Sequence, residues 1–299
     1  MPMITVKVPA TSANLGPGFD TLGLALDLFL TVRAERAEQS LVTFSGCGAG
    51  ELNDSAGDNL LTKAVNHIFQ CCGRTPIPLS LQVENQIPLG RGLGSSAAAI
   101  TAGSLIGQHF AETDLDEQAL LRLALEMEGH PDNLVPALVG GLTTAMIYDK
   151  QVYYQKIALP EHLQVVVAVP DFTLPTEKSR SVLPEAVKLE DTVANLQRAC
   201  YLLASLFNRD LEHMELAMDD MIYQPRRQHL VPGLKEALLA ARTSGARGAA
   251  LSGAGPSVLA FTTGSEEQVG QAMQAAFAAR GIKSRIHHLN ICRDGAVIE

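Results

Sequence analysis

Pro88-Leu89-Gly90-Arg91-Gly92-Leu93-Gly94-Ser95-Ser96-Ala97-Ala98-Ala99 is the stretch from which the fold of this chain can be read. Three glycines alternate with other residues, two serines follow, and a run of alanines begins. Glycine has no Cβ, so the backbone can turn back on itself and approach a ligand closely. Alanine has the best helix propensity, and the pattern predicts a helix that starts at the serines and runs over 97–108. A Gly-rich loop feeding a helix N-terminus gathers unpaired N–H groups and the positive dipole end at one spot, which suits a phosphate. The spacing is not that of G-x-x-x-x-G-K-[ST], and no lysine lies nearby to reach a β- or γ-phosphate. A G-x-G-x-x-G loop would need glycine at 97, where alanine stands.

Composition bounds the rest. The chain has 299 residues, 46% of them hydrophobic and 18% charged, enough for a large core in one or two domains. A net charge of -9 argues against sequence-independent binding of nucleic acid, which needs a basic surface. No apolar run approaches ~20 residues, so no membrane span is expected. The start of the chain has a strand pattern and no signal-peptide core. Cys47, Cys71, Cys72, Cys200 and Cys292 are odd in number and form no C-x-x-C, which indicates neither a disulfide framework nor a zinc site. Reduced thiols in the cytoplasm are the expectation.

Working outward from the loop, residues 3–8 alternate and predict a strand. They run into Pro9-Ala10-Thr11-Ser12-Ala13-Asn14-Leu15-Gly16-Pro17-Gly18-Phe19-Asp20, a shaped loop that offers Asn14 and Asp20. By spacing alone it reads equally well as a plain turn. Residues 22–36 predict a second strand, 45–58 a loop, and 59–69 a helix capped by Asp58. Residues 77–85 predict the strand that delivers the chain to the Gly-rich loop. Beyond it, 114–128 reads as a helix with a capping-box pair at Asp114 and Glu117, ended by Gly129-His130-Pro131-Asp132-Asn133. Taken singly, Glu128 is a solvated carboxylate and His130 a surface histidine. Clustered at a helix end, they become site candidates. Residues 142–147 and 152–157 predict a hairpin around Asp149-Lys150.

The β-branched run 163–169 predicts a buried strand, and a boundary just before it divides the chain into 1–160 and 161–299. Thr176 and Arg180 stand one helical turn apart and can share a face, although a plain surface helix fits as well. Residues 192–207, 211–222, 234–243 and 266–280 predict helices. Pro225-Arg226-Arg227 opens a basic turn, 245–261 is a small-residue loop between short strands, and 284–289 is expected to be the last strand. The irregular mixture of 3.6-residue and two-residue periods indicates an α+β chain.

These motifs, in this order, resemble the GHMP small-molecule kinases, and among them the homoserine-kinase family. The 88–98 string is similar to the GHMP ATP-binding motif, and 9–20 matches the homoserine-kinase substrate loop residue for residue. Residues 128–141, the pattern T-x-x-x-R-x-x-L-P at 176–184, the P-x-R at 225–227 and the small-residue loop at 245–261 continue the likeness. The resemblance implies a two-domain fold, ribosomal-S5-like with a left-handed βαβ unit first and ferredoxin-like second, with the site in the cleft between. It implies transfer of the γ-phosphoryl of ATP to the side-chain hydroxyl of L-homoserine, a step of threonine biosynthesis.

The same resemblance assigns residues. Pro88, Leu89, Gly90, Arg91, Gly92, Leu93, Gly94, Ser95, Ser96, Ala97 and Ala98 form the ATP loop. Asn59 lies near the adenine, with a capping role equally open. Ser96 and Glu128 hold Mg²⁺, Glu126 being the competing choice. Arg180 and Arg227, the latter selected over Arg226 by the P-x-R pattern, suit the substrate carboxylate, since guanidinium forks bind carboxylates bidentately. Asp20 and Asn14 suit its ammonium, and His130, Thr176 and Gly253 line the pocket. Asn133 meets the hydroxyl. Asp132 is the nearest carboxylate for a general base, while the Asn at the position where other GHMP kinases carry Asp favours direct attack by a positioned hydroxyl. Threonine as an inhibitor and a homodimer complete the expectation. Two alternatives stand beside it. A mevalonate-type kinase has no substrate ammonium, which leaves Asp20 unexplained. A non-catalytic relative would be marked by loss of Ser96 or Glu128, and both are present.

Overall fold

Alternation builds the first sheet of the computed structural model, which describes residues 3–50, 52 and 59–299. β1 (Ile4–Ala13) pairs antiparallel with β2 (Leu22–Arg36), with an irregularity between Pro9 and Ala10. Val6, Val8 and Ala10 of β1 and Leu24, Leu26 and Val32 of β2 are fully buried. β3 (Leu41–Gly46) and β4 (Leu79–Asn85) run parallel and are joined through α1 (Leu60–Cys71). Parallel neighbours need such a crossover, because a tight turn can only return the chain antiparallel. Next come α2 (Ser95–Phe110), α3 (Glu117–Glu128) and α4 (Pro131–Val139), then the hairpin β5 (Leu142–Tyr148) and β6 (Gln151–Ile157). Asp149 and Lys150 have φ of 48° and 61°, the left-handed pair that a two-residue hairpin turn requires.

The second sheet starts with β7 (Gln164–Pro170), whose Val165, Val166 and Val167 are fully buried. It is followed by α5 (Thr176–Arg180), α6 (Leu189–Asn208), α7 (Met214–Ala217), α8 (Tyr223–Arg227) and α9 (Leu234–Thr243). β8 (Gly248–Leu251), β9 (Val258–Thr262), α10 (Glu266–Ala278) and β10 (Ser284–Leu289) complete it. Its strands lie in the order β10-β7-β9-β8, every neighbour antiparallel. Counted along the chain this is 4-1-3-2, the ferredoxin-like order expected of the second domain, and the two sheets with their helices make the α+β architecture expected from the motifs. The chain then leaves the second sheet. β11 (Val297–Ile298) pairs with Val6 and Lys7 of β1, so 284–289 is not the last strand.

Other departures have local causes. β1 continues through Ala13, because Ala10 to Ala13 find partners on β2 and make strand of what reads as loop. The cap of α3 is Asp116, whose side chain accepts from the N–H of Ala119, rather than Asp114. Asp58 lies outside the described residues, and Asn59 caps α1. Residues 131–139 form a helix that apolar spacing did not reveal, started by Pro131 at its first position, where the missing N–H costs nothing. The expected helix over 211–222 shrinks to Met214–Ala217, because Asp220 draws the following backbone away.

α2 is the central wall of the first domain. Ala97, Ala98, Ile100, Ala102 and Ile106 are fully buried, and the helix packs on α1, α3, α4, β1 and β2. Its contact with α1 is close because of Gly103, where a Cβ would lie 2.5 Å from Leu61 O and 2.6 Å from Ala64 Cβ. Gly103→Ala therefore sets two effects against each other. Alanine favours the helix by about 1 kcal/mol, and overpacking costs about 1–3 kcal/mol. Net destabilisation in urea unfolding is expected, and an increase would show that the two helices separate without cost.

Candidate active site

Four segments converge on one cleft. The first is the Gly-rich loop. Its carbonyls are all engaged by protein: Leu174 N donates to Gly90 O, Ser257 N to Arg91 O and Thr11 N to Leu93 O, and Ser252 Oγ donates to Gly92 O at 2.6 Å. Among the described residues, the N–H groups of Gly92 to Ser96 meet no backbone acceptor. Gly94 is the N-cap of α2, with φ 66° and no side-chain cap. Orphan donors and a positive helix end are thus presented together. The turn needs glycine: a Cβ on Gly92 would lie 2.2 Å from Ser252 O, and one on Gly94 1.9 Å from Thr11 Oγ1.

The second segment is the end of β1 and the turn after it. Asn14 has φ 71° and Asp20 φ 53°. Asn14 Nδ2 donates to Gly253 O and its Oδ1 accepts from Asp20 N, so one side chain fixes the turn against the second domain. Phe19 stacks on Tyr223 at 3.8 Å between centroids, and the guanidinium carbons of Arg180 and Arg227 each lie 5.3 Å from its ring. One aromatic face thereby steadies two cations.

The third is the α3–α4 junction. Ser96 Oγ donates to Glu128 Oε2 at 2.6 Å. His130 Nδ1 lies 3.1 Å from Asp132 Oδ1, Asn133 Nδ2 donates to the same oxygen at 3.3 Å, and Thr11 Oγ1 donates to Asn133 Oδ1 at 2.8 Å. Burial raises the Glu128 carboxyl above its ordinary value, only partly opposed by the Ser96 hydrogen bond and the charge of His130. For His130, burial pulls down, but the hydrogen bond its Nδ1–H donates to Asp132 and the charges of Asp132 and Glu128 outweigh it, and the imidazole is raised.

The fourth comes from the second domain. Arg180 ends α5 and grips Asp20 bidentately, at 3.1 and 2.5 Å. Arg227 ends α8, is 3% exposed, and donates to Ser179 O and Gly253 O. Among the described residues no carboxylate pairs with it within 4.0 Å, and burial, with Arg180 nearby, lowers its pKa. Its helix is set by Asp220, which accepts from the N–H groups of Ile222, Tyr223 and Gln224 and from Asn195 Nδ2. Arg226 is exposed.

The cleft brings together Asn14, Asp20, Gly90, Gly92, Gly94, Ser95, Ser96, Glu128, His130, Asp132, Asn133, Thr176, Arg180, Arg227 and Gly253. Other expected loop residues face elsewhere. Ala97 and Ala98 are buried in α2, and Leu93 packs in the core. The Arg91 side chain turns to Pro170 O, Asp171 O and Leu89 O, and with Pro88 it lines a hollow behind the loop. Asn59 lines an adjoining apolar hollow with Leu30, Phe44, Val83, Leu89, Ser95 and Ser96. Glu126 lies outside the cleft, paired with Arg122 and His67. Sequence reasoning missed Thr11 and Phe19, although both stand in the 9–20 string, Ala254, which stands in the 245–261 loop, and Leu174 and Asp220, which carry no recognisable local signal.

Two family models match the chain: the GHMP kinases N terminal domain over residues 59–141 and the GHMP kinases C terminal model over 202–279. Fold and cleft together are those of a GHMP-class small-molecule kinase. The homoserine kinase of Moorella thermoacetica is 44% identical over 99% of this chain and 100% of its own length, and that of Desulfitobacterium hafniense 40% over 99% and 100%. A crystal structure of homoserine kinase from Cytophaga hutchinsonii superposes with a TM-score of 0.89 at 29% identity, covering 100% of this chain and 98% of that one. The chain belongs to the homoserine kinase family.

The raised Glu128 carboxyl gives a stability test. The folded state binds its proton more tightly than the unfolded chain, so this group's contribution falls as pH rises from the unfolded value of 4.5 through the native one. Glu128→Gln should raise the thermal midpoint of the ligand-free protein at neutral pH, with the advantage fading toward pH 4.5. His130 slopes in the same direction, so the comparison is the difference between variant and parent. An equal or lower midpoint at neutral pH would mean that burial of the charge carries no cost.

Proposed function

We propose that this chain transfers the γ-phosphoryl of ATP to the side-chain hydroxyl of L-homoserine, giving O-phospho-L-homoserine, a step of threonine biosynthesis in the cytoplasm. The observation that carries the reading is a cleft with an uncapped helix N-terminus and Arg180, Arg227 and Asp20 in its lining. Phosphate suits the free N–H groups, and a zwitterion suits paired charges of both signs. Homoserine's carboxylate would meet Arg180 and the otherwise unpaired Arg227, and its ammonium Asp20 beside Asn14. His130, Thr176 and Gly253 line the same space. The apolar hollow beside the loop suits adenine. There Asn59 spends its Oδ1 on capping α1 while its buried Nδ2 has no partner among the described residues, so the cap and the ligand contact are compatible.

Ser96 and Glu128 fit a hard cation, an oxygen pair 2.6 Å apart that includes a carboxylate raised by burial, and these two would hold Mg²⁺. Bound there, Mg²⁺ neutralises charge on the phosphates. Glu126, paired outside the cleft, is the weaker choice. Phosphoryl transfer has a loose transition state, so positioning and charge stabilisation do most of the work. Asp132 is occupied by His130 and Asn133, which suits a residue that orients rather than one that takes the proton. Asn133, held by Thr11 and Asp132, orients the substrate hydroxyl for direct attack. An ADP-release assay should give turnover with homoserine and none with mevalonate or galactose; turnover with mevalonate would overturn the assignment.

Each charged hydrogen bond contributes ~1.5–3 kcal/mol, about 10- to 150-fold in binding. Arg180→Leu and Arg227→Leu should raise KM for homoserine by that factor and leave KM for ATP nearly unchanged, with Arg226→Leu near neutral. A large effect at Arg226 and none at Arg227 would reverse the assignment of the carboxylate partner. Threonine carries the same ammonium and carboxylate with its hydroxyl on the β-carbon. It should occupy the cleft, present its oxygen badly and inhibit competitively against homoserine; a non-competitive pattern would place it elsewhere.

A further inference from the structure

α1 and α3 pack against each other, and three ligating side chains converge where they meet. His67 and Cys71 stand one turn apart on α1, so they share a face. Glu126 reaches them from the last turn of α3. Among the described residues this is the one place where three His, Cys or carboxylate side chains each bring a ligand atom within 4.8 Å of the others. His67 Nε2 lies 3.2 Å from Glu126 Oε2, and Cys71 Sγ lies 3.7 Å from Nε2 and 3.8 Å from Nδ1 of the same ring. Arg122 holds the other carboxylate oxygen, Oε1, at 3.4 Å, which leaves Oε2 to the imidazole. Cys71 is exposed, and the side chains of Glu126 and His67 are 48% and 26% exposed, so an ion reaches all three from solvent. A surface ion pair by itself contributes little and has no use for the thiol beside it.

We infer that His67, Cys71 and Glu126 bind one Zn²⁺, with water as the fourth ligand. Distances select the ion. In a tetrahedral zinc site, bonds of ~2.0–2.1 Å to nitrogen and oxygen and ~2.3 Å to sulfur set N and O ~3.3 Å apart and S and N ~3.6 Å apart. The separations of 3.2 and 3.7 Å lie within ~0.2 Å of these, so the three side chains close on the ion without backbone movement. A turn of the imidazole about χ2 aims the Nε2 lone pair between sulfur and carboxylate. Ligand chemistry selects the same ion. Thiolate and imidazole are soft donors that suit Zn²⁺, whereas Mg²⁺ takes oxygens. On binding, the Cys71 thiol gives its proton to solvent and a sulfur lone pair forms the Zn–S bond. No motif in the sequence announces the set, because its third ligand comes from another helix. Glu126 and Glu128 stand about 200° apart around α3, so this site and the Ser96–Glu128 pair lie on opposite sides of the helix. The ion clasps the helix that Asn59 caps to the helix that ends at Glu128, outside the cleft.

Titration of the reduced, nucleotide-free full chain with zinc chloride against a chromophoric chelator should show one site with a dissociation constant of ~10 µM or lower. Co²⁺ takes the same geometry and absorbs light. It should give a thiolate charge-transfer band in the near ultraviolet and tetrahedral d–d bands in the visible, both lost when Zn²⁺ is added. Cys71→Ser should remove the charge-transfer band and weaken Zn²⁺ binding by ~100-fold, and His67→Ala and Glu126→Gln should each weaken it by ~10-fold or more. Cys72→Ser, whose thiol turns to Thr113 Oγ1, should change nothing. Saturating Zn²⁺ should raise the thermal midpoint of the parent and not that of Cys71→Ser, while the metal-free midpoints of the two agree. The inference is overturned by the absence of a saturable site in that range, by a charge-transfer band that survives in Cys71→Ser, by full affinity in both His67→Ala and Glu126→Gln, or by loss of the band in Cys72→Ser instead.

Discussion

Every carbonyl from Gly90 to Leu93 is engaged by another part of the protein, and the rest of the cleft depends on that constraint. A peptide unit whose C=O is bound on one side must present its N–H on the other. The donors are Thr11 on β1, Leu174 beyond β7, and Ser252 and Ser257 on the loop between β8 and β9. Both domains therefore fix the orientation of the same four peptides. The loop holds its shape through main-chain bonds it cannot form alone, and Arg91 adds a side-chain tie to Pro170 and Asp171.

The electrostatics follow from convergence. Asp20 reaches the cleft from the first domain, Arg180 and Arg227 from the second, and Glu128, His130 and Asp132 from the α3–α4 junction. Each charge is partly or wholly withdrawn from water, which is costly without partners. Arg180 has Asp20, His130 has Asp132, and Glu128 has the Ser96 hydroxyl. Among the described residues Arg227 has carbonyl oxygens and the Phe19 ring but no carboxylate within 4.0 Å. A buried cation left with a surplus of charge is a place prepared for an anion, and such sites exchange stability for function.

A second layer stands behind these side chains. Asp220 gathers the start of α8 and is itself held by Asn195 from α6, so the position of Arg227 is set two contacts away from the cleft. Phe19 performs the corresponding task from the first domain, its ring stacked on Tyr223 and within 5.3 Å of the two guanidinium carbons. α6 thus serves the site with its inner face while its outer face remains apolar and open.

The sequence by itself determined most elements, because propensity and local pattern act over a few residues, and it was the motif resemblance that picked out most of the side chains lining the cleft. The Gly-rich turn before an alanine-rich helix, the Asp149-Lys150 hairpin and the buried valine strand are all legible at that range. Tertiary structure decided what needs a distant partner. β1 extends through Ala13 because β2 lies beside it, and β11 exists because β1 offers an edge. The helix expected over 211–222 breaks because Asp220 is held by Asn195, 25 residues away along the chain. Which loop residues serve the cleft was likewise undecided by the string alone: Arg91 turns away to carbonyls of the second domain, and Thr11, fully buried, holds Asn133 from behind.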